Sequence, residues 1–331
     1  MVVVLSHSSA VRYWRYSYPS ASSSHDARIP RKSYCGLENA CSNLRDIRAF
    51  PDAWELARSS KVHVLVGDGA LLRSSSKHVT HMCTTDIPRG ALRSLGNGLF
   101  VASPEFCFLQ MASKLSFYRL IRYGHEICGS YAMQRGTPRG FIEARPLTSV
   151  ANTQTFLARY PDAHGRARAM HALPWVVENA ASPMETAVGM ILHLPMRYGG
   201  FGLPRHSFNR EVLLSPTARN LAGRKTCRLD LSWEGVKYDL EYLGKIDHEG
   251  QTSIERDSRR VHALEYDGYQ CDSITRVQVM DPFDMEVIAR KIAREIGTKR
   301  HWERMGKYRG RRIMLYNDLF PWAAPFDTRF R

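Results

Sequence analysis

The chain has 331 residues, 44% of them hydrophobic, which is room for two domains each with its own core. Its 47 Lys and Arg outnumber 32 Asp and Glu, a formal net charge of +15, which excludes an acidic solvating chain and suits a polyanionic partner. Seven cysteines without a C-x-x-C pair exclude a zinc ribbon and a disulfide framework and fit a reducing cytosol, and no apolar run approaches the ~20 residues needed to span a bilayer.

Residues 1–34 carry only four consecutive apolar residues after Met1, with Arg and Ser in excess and a first acid at Asp26, and are expected to form a disordered leader. Residues 37–60 read as one or two helices broken at Pro51. Strands are expected at 61–66 ("KVHVLV"), 78–84 ("HVTHMCT") and 98–103 ("GLFVAS"). The last runs into a helix with Ser103 as N-cap, Pro104 in its first position and Glu105 in its first turn, continuing apolar on most faces to Cys128. These pieces make a small α/β accessory domain over 35–132, in which His78 and His81 are read as ordinary polar residues.

A Gly/Pro/Arg hinge at 133–141 ("MQRGTPRGF") marks the expected domain boundary, followed by two linker helices over 150–180 joined near Pro161. The second domain, 182–297, opens with a helix at 182–195 that repeats the Ser-Pro start. Strands "DLSW" and "KYDLEYL", a helix over 253–269, a strand "QCDSITRV" and an amphipathic helix over 281–297 complete it. The order predicts an α/β fold with a mixed sheet flanked by helices. Beyond it, 298–331 reads as a basic aromatic tail, whose run "KRHWERMGKYRGRR" at 299–312 suits phosphate contact plus base stacking.

One stretch, "RLDLSWEGVKYDLEYLGK" at 228–245, raises a chemical question. Alternation along its two strands puts Asp230 and Ser232 opposite Leu229, Leu231 and Trp233, and places Lys237, Asp239, Glu241 and Leu243 together. Asp230 and Glu241 then share the polar sides of adjacent antiparallel strands. Carboxylates so placed repel unless a cation joins them, and a hard divalent ion with oxygen ligands is one candidate. Acids on the wet face of a hairpin are the alternative.

The words "SPMET", "RLDLSWEGVKYDLEY" and "DSRRVHALEYDGYQCDSITR", with the closing Asp-Pro helix, resemble the PD-(D/E)xK restriction-endonuclease-like superfamily, in the branch related to very-short-patch-repair endonucleases. In that family a helix supplies one acid, a strand an Asp and the next strand a Glu. By position the resemblance implies Glu185, Asp230 and Glu241 as metal ligands, with Mg²⁺ or Mn²⁺ as cofactor and DNA phosphodiesters as substrate. Leu243 stands where the family has Asp or Lys, so Lys245 is the implied catalytic cation, with His248 displaced beyond it. Glu185 also completes a capping box with Ser182, and both roles stay open. Asp257, Arg259 and Arg260 sit on the following helix, where either arginine could clamp a phosphate or lie on a solvated face. More faintly, "VASPEFCFLQMAS" resembles the domain that precedes such nuclease modules in chains related to AbiEi-type antitoxins. The resemblance implies a metal-dependent endonuclease in a defence or toxin–antitoxin context. A nuclease fold retained as a DNA-binding regulator is its rival.

Overall fold

The computed structural model describes residues 2–17, 37, 40, 61–83, 86–134, 136–244 and 251–323. The chain divides into two units, Met1–Val176 and Val177–Arg331. The division falls well after the expected hinge at 133–141. That segment instead holds a two-stranded ladder inside the first unit, and the helices expected to link the domains belong to the same unit.

The first unit is built on a five-stranded mixed sheet. Its strands are β1 (Val3–Leu5), β2 (Val62–Val66), β3 (His78–Met82), β4 (Leu92–Gly96) and β5 (Leu99–Ala102), in the spatial order β3-β2-β1-β5-β4. The segment expected to be a disordered leader therefore supplies the middle strand. Val3, Val4 and Leu5 are fully buried, and β1 pairs parallel to β5 and antiparallel to β2. Four apolar residues are too few for a secretory core but are enough for a short strand buried on both faces. Helix α1 (His7–Ser17) follows at once and buries Ala10, Val11 and Trp14.

The single long helix expected after Ser103 is two helices, α2 (Pro104–Ala112) and α3 (Phe117–Ile127). Ser103 and Ser116 each cap one, accepting the N–H of Phe106 and of Arg119. The second serine restarts the helix where its apolar face must turn. The short ladder pairs β6 (Tyr131–Met133) with β7 (Phe141–Glu143), and α4 (Val150–Ala158) and α5 (Arg166–Ala172) complete the unit.

The second unit opens with α6 (Pro183–His193), capped by Ser182, and has a four-stranded sheet of β8 (Ser207–Leu213), β9 (Thr226–Ser232), β10 (Tyr238–Leu243) and β11 (Gln270–Thr275) in the order β11-β10-β9-β8. β8, β9 and β10 run antiparallel, while β11 lies parallel to β10. A parallel neighbour requires a crossover, and α8 (Gln251–Tyr266) provides it. The short α7 (Pro216–Ala222) joins β8 to β9, and α9 (Arg276–Met280) and α10 (Pro282–Glu295) follow β11. The turn from β9 to β10 passes through Gly235 at φ +73°, a conformation that other residues adopt with strain. This is the mixed sheet flanked by helices that the sequence predicts, with β8 and α7 added.

On one side of the sheet Leu214, Ala218, Cys227 and Leu229 pack with Ala263 and Leu264 of α8. Elsewhere His206, Phe208, Trp233 and Tyr238 form an aromatic group, and Gly189 lets α6 come so close that an added Cβ would strike Phe208 and His206.

The basic run at 299–312 is not a free tail. A 3-10 turn over Trp302–Tyr308 leads into α11 (Arg309–Leu319), which buries Leu315, Tyr316 and Leu319. Arg290 covers Trp302 at 4.8 Å, and Arg312 stacks on Phe201 at 4.5 Å while donating to the Gly199 carbonyl. Of the two rings expected to stack on bases, Trp302 is thus engaged by Arg290 and Phe201, while Tyr308 is half-buried beside Lys307. Arg304, Lys307, Arg309 and Arg311 remain exposed.

Candidate functional site

Three elements of the second unit carry acids that act on one another through their charges. Helix α6 brings Glu185 from its first turn, β9 brings Asp230, and β10 brings Glu241 together with Asp239 two residues earlier on the same side. The β9–β10 ladder pairs Asp239 with Ser232 and Leu240 with Leu231. One step on, Asp230 Oδ2 accepts the N–H of Tyr242 at 3.0 Å, so a carboxylate replaces the ladder as the link between the strands.

Glu185 is 8% exposed. Ser182 caps its helix by accepting the Glu185 N–H at 3.1 Å. The carboxylate reaches back beyond the N-cap residue, accepting the Ala181 N–H at 2.9 Å rather than that of Ser182. The same oxygen accepts Asn209 Nδ2 at 2.8 Å. Asn209 lies on β8 at φ +50°, between the paired positions Phe208 and Arg210. Asparagine tolerates that left-handed conformation better than most residues, and here it turns an amide toward the acid.

The acids are strained electrostatically as a group. Burial pushes the Asp230 carboxyl up to about 6, and the charge of Glu185 adds to it. Burial and the neighbouring Asp230 push Asp239 up to about 8. Asp239 is 1% exposed, and its Oδ1 has no hydrogen-bond partner. Burial also raises Glu185, against three hydrogen bonds that favour its charged form. Glu241 is raised mainly by burial, although Arg260 of α8 forms an ion pair with its Oε1. Desolvation is the largest cause of all four shifts, and repulsion from neighbouring acids adds to those of Asp230, Asp239 and Glu241.

Of the residues singled out from sequence, Glu185 acts through its charge on Asp230, and Asp230 on Glu241. Lys245 and His248 lie outside the described residues, as does almost all of 37–60. Leu243 ends β10 at 39% exposure. Asp239 is not among the acids that the resemblance implies, although strand alternation already places it beside Glu241. Asn209 was missed with its strand.

The donor set is all carboxylate oxygen, the chemistry a hard divalent cation selects, and an orphaned buried oxygen on Asp239 suits the same occupant. Among the described residues, however, no three His, Cys, Asp or Glu side chains are arranged to hold a metal ion. Glu241 is engaged by Arg260 and one oxygen of Asp230 by Tyr242. The residues suit such an ion in kind, while their arrangement here is that of a cluster paired with Arg260.

In the first unit His63 Nδ1 lies 2.8 Å from His81 Nε2, and His7 stacks on His81 with ring centroids 3.6 Å apart. Stacked rings that hydrogen-bond one another do not aim their lone pairs at one point. His78 Nδ1 pairs with Ser75 Oγ instead. Among the described residues no helix is long and apolar enough to cross a membrane.

Comparison with known proteins adds no relative: the chain matches no family model, no curated protein and no solved structure.

Proposed function

We propose that the second unit is a divalent-cation-dependent phosphodiesterase acting on nucleic acid, with DNA as substrate and Mg²⁺ or Mn²⁺ as cofactor. The observation that supports this is the electrostatic coupling of Asp230 with Glu185, Asp239 and Glu241, on one helix and two adjacent strands, all with raised pKa values. The same helix, strand and next strand supply the acids in the nuclease superfamily that the sequence resembles. Asp230 and Glu241 would hold the ion, with Glu185 and Asp239 completing the negative charge. Bound there, a divalent ion would polarise the phosphoryl group and lower the pKa of a water. Asn209 and the Ala181 amide fix the Glu185 carboxylate, and Tyr242 fixes that of Asp230. Lys245 is retained as the proposed cation that orients water. The net charge of +15 supplies attraction for the polyanion.

Incubation of the full chain with supercoiled plasmid tests the proposal. Nicked or linear product should form with Mg²⁺ or Mn²⁺ and not with chelator. No product with either metal would overturn it.

A second reading has its own support. Arg260 neutralises Glu241, and Leu243 occupies the position where the resemblance expects Asp or Lys. A nuclease fold kept as a DNA-binding regulator would show salt-sensitive binding without cleavage.

A further inference from the structure

Arg260 is enclosed, at 8% exposure. Its Nη1 donates to the Arg228 carbonyl at 3.1 Å, which anchors the guanidinium on β9, while Nη2 forms the ion pair with Glu241 on β10. Four acids act on it: Glu241, Asp239 and Asp230 from the strands and Asp257 from its own helix, in that order of strength. One guanidinium therefore faces several carboxylates.

We propose that Arg260 is the resident counter-cation of this cluster and competes with a divalent ion for Glu241. The inference rests on the metal-binding reading given above and concerns how that site is regulated. A planar guanidinium makes directed bonds to one carboxylate oxygen, whereas a divalent ion carries twice the charge and binds several oxygens at once. Entry of the ion requires Glu241 to exchange partners. The arginine, still tethered to β9 through the Arg228 carbonyl, then lies beside the cluster with a free fork of donors suited to a phosphate. Glu241 is thereby kept paired, and the metal held weakly, until ion and substrate arrive together.

The test uses Mn²⁺ alone, titrated calorimetrically into the full-length wild type, Arg260→Gln and Arg260→Lys at constant ionic strength, with melting temperatures measured alongside. Removing one unit charge beside a half-buried ion should strengthen Mn²⁺ binding by about tenfold or more in Arg260→Gln. Arg260→Lys, which keeps the charge but loses the fork, should fall between the other two. Without metal Arg260→Gln should melt below wild type, and saturating Mn²⁺ should raise its melting temperature by more than it raises that of wild type. If Arg260→Gln does not fold without metal, Arg260→Lys carries the affinity test. Wild type binding Mn²⁺ while both variants bind it no more tightly would overturn the competition and leave the proposed function standing. No Mn²⁺ binding by wild type or either variant would remove the metal-binding reading and this inference with it.

Discussion

Asp230 holds the backbone of Tyr242 across the point where β9 and β10 stop pairing, through a 3.0 Å hydrogen bond from the Tyr242 N–H to Oδ2. The same carboxylate is asked to brace the sheet and to carry a charge that burial opposes. Asp230→Asn separates the two demands, because an amide oxygen still accepts from Tyr242. The variant should fold, gain about 1 kcal/mol in stability near pH 8 once the buried charge is gone, and lose metal-dependent cleavage. Denaturant melts beside the plasmid assay check both halves. A destabilised variant would make the brace the dominant role.

The pH dependence of the second unit follows from the direction of the shifts. An acid whose folded pKa is raised contributes stability that is fully present below its unfolded value and is lost as pH rises through its folded value. Asp230 goes from 3.8 to about 6 and Asp239 from 3.8 to about 8. Stability without metal should therefore decline between about pH 4 and pH 8. Mn²⁺ affinity should climb over the upper part of that range, since ligation needs the ionised forms. Melts and titrations at stepped pH give the two curves, which should run in opposite directions.

Asn209→Gly tests what holds Glu185. Glycine keeps the left-handed backbone at φ +50° but removes the amide that donates to Oε2. The Glu185 pKa should rise further, and Mn²⁺ affinity should fall about 10- to 100-fold, the range for losing a partner that orients a ligand. Asn209→Asp, which adds a charge at the same place, should raise the Glu185 pKa still more.

Nucleic-acid binding should depend on the exposed cations of 299–312 and not on its aromatic rings. Deleting residues 298–331 would remove the buried Leu315, Tyr316 and Leu319 along with the charges, so substitution is the cleaner probe. Arg304→Glu, Lys307→Glu and Arg311→Glu together should weaken DNA binding and flatten its salt dependence by about 0.9 for each phosphate that is no longer neutralised. Trp302 and Tyr308 are already covered by Arg290 and Lys307, and Tyr308→Ala should change affinity little. Fluorescence anisotropy at several salt concentrations measures both.

What could be read from sequence was what strong local signals encode. The Ser-Pro helix starts at Ser103 and Ser182 lie where the sequence places them, and alternation in "RLDLSWEGVKYDLEYL" puts Asp230 and Glu241 on neighbouring strands. β8 escaped because "SFNREVL" mixes polar residues on both faces and is interrupted by the left-handed Asn209. β1 escaped because three residues make too short a run for periodicity to register. The role of Arg260 depends on which way α8 presents it after the crossover, a tertiary fact that no spacing within the helix contains. The packing of the basic run was hidden for a related reason: its apolar half, Leu315 to Phe320, lies just beyond the cluster of charges that dominates its composition.

The place of β1 in the middle of its sheet has a kinetic consequence. Val3 cannot meet Leu99, nor Leu5 meet Val101, until the chain has been synthesised as far as β5. β1 must wait for distant partners, and closing so long a loop makes the pairing slow. Until then β2, with Val62, Val64 and Val66, and β5 each expose an unpaired edge, the surface from which intermolecular pairing begins. The yield of folded chain should therefore respond to chaperone supply and growth temperature more than its equilibrium stability would suggest.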